Sequence, residues 1–190
     1  MEHLRPIVEK TEHLLKRQGR VILALDGMAA AGKTTAAAKL SAHWHAPVVH
    51  MDDFFLPPEL RIPERLSQPG GNVHYERFAR EVLPGLQAGT DFSYGVFDCS
   101  VMAVTNRKSI PAAPVTIVEG AYSMHPVFGK YWDLSVFFAI GIQEQKRRIL
   151  ARSGEAAWES FHTRWIPMEN NFHTAFETQK LADIVLQNDL

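Results

Sequence analysis

An α/β fold built on a parallel sheet is what the sequence predicts, and three observations predict it. Apolar, β-branched runs recur at residues 21–25, 47–51, 115–118, 134–140 and 184–186. Stretches of helical period lie between them, as expected when crossover helices cover both faces of a parallel sheet. The first run, Val21-Ile22-Leu23-Ala24-Leu25, leads into Gly27-Met28-Ala29-Ala30-Ala31-Gly32-Lys33-Thr34, which reads G-x-x-x-x-G-K-[ST]. A strand, a glycine-framed turn and a helix form the context in which that motif becomes a phosphate-binding loop. The expectation is a P-loop NTPase fold with five parallel strands flanked by helices.

Each element follows from local signals. Ile7, Leu14 and Leu15 share a face of an N-terminal helix that Gly19 ends. In the loop the glycines let the chain wrap so that successive N–H groups point inward at phosphate oxygens. The expected nucleotide-binding set is Gly27, Met28, Ala29, Ala30, Ala31, Gly32, Lys33, Thr34 and Thr35. Lys33 adds a positive charge for the β and γ phosphates of ATP, and Thr34 a hydroxyl for Mg²⁺. Thr35–Leu40 continues as helix, residues 41–45 close it, and Pro47 opens the second strand.

Ligands of such sheets sit off the carboxyl ends of the strands. Asp52-Asp53 ends the second strand, Glu119-Gly120 the third and Gly141 the fourth. Carboxylates there can hold Mg²⁺ or take the proton of an attacking hydroxyl. Asp52 and Glu119 are therefore candidate metal-site residues beside Thr34, with Asp52 also the candidate base. Gly120 would let a ligand approach Glu119 closely.

The interval 54–114 differs in character. It carries Pro57-Pro58, Pro63, Pro69-Gly70-Gly71, a helix candidate at 75–83, and Gly85, Gly89 and Gly95. So long an excursion between core strands is expected where a binding site is built. Its apolar content is too low for a core of its own, so residues 1–190 read as a single domain with 54–114 as the acceptor-substrate region. Following the fourth strand, residues 143–152 read Q-E-Q-K-R-R-I-L-A-R, with Arg148 and Arg152 on one helical face. Two readings stay open there: a solvated charged face, or an arginine-bearing lid over about 143–178 that shields the transferring group.

Bulk properties narrow the function. The 190 residues carry a net charge of −1, so no basic field attracts nucleic acid or an anionic membrane. One cysteine, Cys99, leaves no internal disulfide and fits a reducing, cytoplasmic setting. Residues 1–10 lack the apolar core of a signal peptide, and no apolar run reaches membrane-spanning length. The expected partner is a small-molecule acceptor, the chain acting as monomer or homodimer. His43-Trp44-His45 reads as a surface helix end rather than a metal site, and Asn106-Arg107-Lys108-Ser109 is not the Asn-Lys-x-Asp of guanine specificity.

In order and spacing, Gly27–Thr35, Met51-Asp52-Asp53-Phe54-Phe55-Leu56-Pro57, Val118-Glu119-Gly120 and Arg148-x-x-x-Arg152-x-Gly154 resemble the uridine kinase family. That family includes nicotinamide riboside kinases and phosphoribulokinase-like enzymes, and the late Ala182-Asp183-Ile184-Val185 fits it as well. The resemblance implies transfer of the ATP γ-phosphoryl group to a hydroxyl. Asp52 would activate that hydroxyl, Glu119 would assist Mg²⁺ and acceptor, and Lys33, Arg148 and Arg152 would neutralise the transferring group. The chain also departs from the pattern. Asn72-Val73-His74 replaces the Asn-Phe-Asp that holds the ribose hydroxyls, and Cys99-Ser100-Val101-Met102-Ala103 follows Phe97-Asp98 without the His and Arg that read a pyrimidine. Uridine as acceptor is therefore not implied. Arg61, Arg65, Asn72, His74, Tyr75, Tyr94 and Asp98 are the candidate acceptor contacts. The alternative is a P-loop ATPase that uses hydrolysis for conformational signalling or assembly, with no acceptor.

Overall fold

The structure, a computed structural model, describes residues 1–188. Seven strands occur: β1 (Val21–Gly27), β2 (Val48–His50), β3 (Phe92–Asp98), β4 (Ala103–Ile110), β5 (Val115–Glu119), β6 (Leu134–Ala139) and β7 (Ile184–Gln187). Five of them form a parallel sheet in the order β2-β5-β1-β6-β7. From β1 the chain first builds toward one edge of the sheet and then toward the other. That reversal places the topological switch point at the carboxyl end of β1, where the G-x-x-x-x-G-K-T turn begins.

Alternation along the strands divides the core. Leu23 and Leu25, Ile117, and Val136 and Phe138 face α1 (Arg5–Gln18) and α2 (Lys33–Trp44), joining Ile7, Ala37 and Leu40. Ile22, Val49 and Val118 face the opposite way, onto Phe54, Phe78, Tyr94, Tyr122 and Phe172. Helix α1 ends at Gly19, whose left-handed backbone (φ 75°) returns its N–H to the Leu15 carbonyl, as the sequence indicates. His45 ends α2 in the same conformation, and His43 lies edge-on to Trp44 with Glu12 as neighbour, a surface helix end.

The 54–114 excursion contains more regular structure than its composition signals. Short helices α3 (Pro63–Leu66), α4 (Tyr75–Glu81) and α5 (Leu83–Ala88) lead to an antiparallel hairpin of β3 and β4, which the sequence reading missed. Strand β4 is exposed along nearly its whole length and reads A-V-T-N-R-K-S-I, so it lacks the half-buried alternation that marks a strand. Buried Arg77 ties the region to the sheet: its guanidinium donates to the Gly95 and Asp53 carbonyls, lies 3.6 Å from Glu81 and covers the Phe54 ring.

Beyond β6, α6 (Ile142–Ser160) is interrupted at Gly154, where φ is 79° and ψ −178°. A π-helical turn (Phe161–Trp165) then joins it to α7 (Ile166–Ala175), followed by α8 (Thr178–Leu181) and β7. Such turns recur at functional sites because they re-aim side chains. Here Phe161, Arg164 and Trp165 share one face and point into a cavity beside the P-loop. Among the described residues no helix is long and apolar enough to cross a membrane.

Candidate active site

The loop is shaped by its neighbours before any ligand is considered. Gly27 sits at φ 131° against β6, where any Cβ would run into the Phe138 carbonyl. Ala30 and Gly32 both adopt positive φ (57° and 96°), which turns the intervening amides inward. No side chain caps α2, so its first-turn N–H groups stay available to an anion. Lys33 Nζ donates to the Gly27 and Met28 carbonyls at 2.7 and 2.8 Å, keeping the ammonium within the loop.

Among the described residues five outside side chains hold this loop, Gln145 by donating to the Ala29 carbonyl at 2.9 Å, and the sequence reading named only one of the five, Arg148. Asp26, fully buried, accepts from the amides of Gly27, Tyr122 and Met124, locking the end of β1 to the turn after β5. Glu169 on α7 accepts from the Ala29 amide at 2.7 Å. Asn188 donates to the Ala31 carbonyl at 2.6 Å, and Arg148 reaches both the Ala30 and Asn188 carbonyls while paired to Glu144. Asp26 was visible beside Gly27 as a carboxylate ending an apolar strand. Glu169 had as its only signal an acidic first turn after Pro167.

Glu119 is buried at the end of β5. Its carboxylate oxygens lie 3.3 and 3.4 Å from the Thr34 hydroxyl, and Oε1 lies 2.5 Å from His50 Nδ1. Gly120 lines the cavity and also packs against the turn that follows β2. At φ 129° its missing Cβ makes room for Met51, whose Cβ would sit 2.8 Å away. That packing sets the start of the Met51–Phe54 turn and so directs Asp52 into the cavity. The Asp52 carboxyl is pushed above its ordinary range by burial, with Glu119 adding repulsion. Asp53 points elsewhere and accepts from the buried Tyr94 hydroxyl at 2.8 Å. Burial also raises the Glu169 carboxyl, to about 7.

Asp52, Glu119, Lys33 and Thr34 share a cavity of about 550 Å³. Phe55, Met102, Phe161 and Trp165 supply its apolar wall, and Arg61, Asn72, Arg152, Arg164, Tyr122, Cys99 and Glu169 add further polar groups. A second cleft, bounded by Gly32, Thr35, Arg147 and Arg148, shares Ala30, Lys33, Thr34 and Arg152 with the first. Of the seven acceptor candidates, only Arg61 and Asn72 line the cavity. Arg65 is spent on Glu76, the Gly71 and Val73 carbonyls and the face of Tyr75, and His74 on Glu76 as well. Tyr94 holds Asp53, and Asp98 caps the exposed Ser100 turn. None of these five lines the cavity.

A hydroxyl and two carboxylates at the foot of the loop form an oxygen donor set of the kind Mg²⁺ takes, one that leaves coordination positions for phosphate and water. The close pairing of Thr34 with Glu119 fits that ion.

Solved structures share the fold. A possible uridine kinase from Bacillus stearothermophilus superposes with a TM-score of 0.66 at 18% identity, covering 95% of this chain and 99% of that one. The fold is that of the uridine kinase-like P-loop kinases. A protein proposed to be a fructose transport system kinase, from Silicibacter sp. TM1040, gives 0.61 at 22% identity, over 93% and 97% of the two chains. YFH7 from Saccharomyces cerevisiae, proposed to be a P-loop containing kinase with a circular permutation, gives 0.66 at 12% identity, over 98% and 99%. No protein-family model matches the chain, and no curated protein matches it at a significant level.

Proposed function

We propose that this P-loop protein transfers the γ-phosphoryl group of ATP, with Mg²⁺, to a hydroxyl of a small nucleoside-like or sugar-like molecule. One observation carries the reading: the cleft over the start of α2 and the cavity behind it meet at Lys33, Thr34 and Arg152. A phosphate held in the first would face an acceptor held in the second. A hydrolytic P-loop protein needs only a water at that junction, so a cavity of this size beside Asp52 favours a second substrate.

The roles follow from position. Asp52 takes the hydroxyl proton as the acceptor oxygen bonds the γ-phosphorus and the bridging P–O bond breaks to leave ADP; its raised basicity suits that task. Lys33, the loop amides and Arg152 offset the charge of the transferring group. Thr34, Glu119 and Asp52 would hold Mg²⁺, which when bound neutralises phosphate charge. The lid is part of this proposal: Gly154 breaks α6 just beyond Arg152, so the segment carrying Phe161, Arg164 and Trp165 can close over an acceptor.

The test is an assay with ATP and Mg²⁺ across nucleosides, sugars and vitamin precursors. Phosphate should appear on a small molecule, with uridine and cytidine as poor acceptors. ATP hydrolysis that rises only with a protein partner, with no labelled acceptor, would instead support the ATPase reading.

A further inference from the structure

The cavity holds more positive charge than the proposed chemistry uses. Asp52, Glu119 and Glu169 gather at the P-loop. Arg61 and Arg164 also line the cavity, and among the described residues neither guanidinium pairs with a carboxylate. Arg61 spends only its Nε, on the Leu56 carbonyl at 2.8 Å, and Arg164 lies 4.6 Å over the Trp165 ring. The two cations are close enough to repel. Burial and Arg164 together hold the Arg61 guanidinium below its ordinary range.

Most other arginines near the site are satisfied: Arg65 by Glu76, Arg77 by Glu81, and Arg147 and Arg148 by Glu144. A guanidinium with no carboxylate partner is free to take up an anion, and its planar fork matches carboxylate or phosphate oxygens. Asn72 strengthens the case. It is 4% exposed and opens onto the cavity, and although it neighbours Tyr122, no contact of its amide reaches hydrogen-bond geometry. Buried amides without partners point to a polar ligand.

We infer that the acceptor is an anion: a small hydroxylated carboxylate or phosphate ester whose charged group is held by Arg61 and Arg164. Its hydroxyl faces Asp52, Asn72 reads a polar group between the two ends, and Phe55 and Trp165 cover the apolar side. In the reverse orientation the anion would lie beside Asp52 and Glu119, where the nucleotide phosphates already occupy Lys33. This inference deepens the kinase reading and rests on it for the hydroxyl's fate, whereas the anion site itself does not require transfer.

The experiment separates the two. Methyl phosphate and acetate are titrated by calorimetry into the full chain saturated with MgADP, which occupies the P-loop. At least one should bind with a dissociation constant in the millimolar range, and which one does distinguishes a phosphate ester from a carboxylate. Arg61→Gln and Arg164→Gln should each weaken binding by about tenfold or more, while Arg17→Gln, the same charge change on exposed α1, leaves it unaltered. Circular dichroism of each variant checks folding. No binding, or binding indifferent to both substitutions, overturns the anion site whatever the enzyme does with ATP. In parallel, matched neutral and anionic acceptors such as glycerol and glycerol 3-phosphate are assayed with ATP. Preference for the neutral members also overturns it. Anion binding without transfer to any acceptor would retain the site and sink the kinase reading alone.

Discussion

His50 Nδ1 lies 2.5 Å from Glu119 Oε1, and the two residues are register partners on the parallel strands β2 and β5. The carboxylate proposed to hold Mg²⁺ is thus oriented by the neighbouring strand. His50→Ala should lower turnover by about 10–100-fold, the usual cost of losing an outer-shell partner, and raise the Mg²⁺ concentration needed for half-maximal rate. A Mg²⁺ titration of activity checks this; an unchanged midpoint would make the contact purely structural.

The neighbouring aspartates should separate cleanly. Asp52→Asn should reduce turnover by about 10²-fold or more with nucleotide affinity retained, as expected when a general base is lost. Asp53→Ala should act on stability, costing about 1–3 kcal/mol because the buried Tyr94 hydroxyl loses its acceptor. Steady-state kinetics and thermal melts on both variants decide the assignment. A larger kinetic loss at Asp53 would reverse it.

Arg148 and Arg152 should likewise differ, although they share a helix face. Arg148 bridges Glu144 and the Ala30 and Asn188 carbonyls, so Arg148→Ala should lower the melting temperature and weaken nucleotide binding. Arg152 makes only a 3.3 Å contact to Ser153 and a distant one over Phe161. Arg152→Ala should leave the melting temperature alone and reduce turnover by roughly 10²-fold or more.

Glu169 predicts a pH dependence. Its folded value of about 7 lies above the ordinary 4.5 of a glutamate, so the folded state holds the extra proton. The associated stability is fully present below about pH 4.5 and is lost as pH rises through 7. Glu169→Gln should remove that dependence and stabilise the protein at pH 8 relative to the parent, on the order of 1–3 kcal/mol. Denaturant melts of both proteins across pH 5–8 measure it, and parallel curves would contradict the assignment.

Local signals carried most of the fold. The strand, the glycine-framed turn and α2 are contiguous, and Gly19 ends α1 in the conformation its chemistry favours. Asp52 and Glu119 could be placed because strand ends are readable from sequence. What escaped depends on distance along the chain. Glu169 meets Ala29 across 140 positions and His50 meets Glu119 across 69, and neither pairing leaves a periodic trace. The β3–β4 hairpin escaped because its second strand is polar and exposed. Five acceptor candidates were chosen for their chemistry, yet Arg65 and His74 found Glu76 nearby, and a satisfied side chain is no longer free for a ligand.

Two of the P-loop's restraints come from residues far downstream of it. Asn188 holds Ala31 across 157 positions, and Glu169 holds Ala29. During synthesis from the N-terminus, residues 27–34 emerge long before either partner. Those two restraints can form only after α7 and β7 are made, and such long-range closure is intrinsically slow. Nascent chains should carry the complete nucleotide motif without gripping nucleotide, so that affinity for nucleotide appears only once residues 169–188 have emerged.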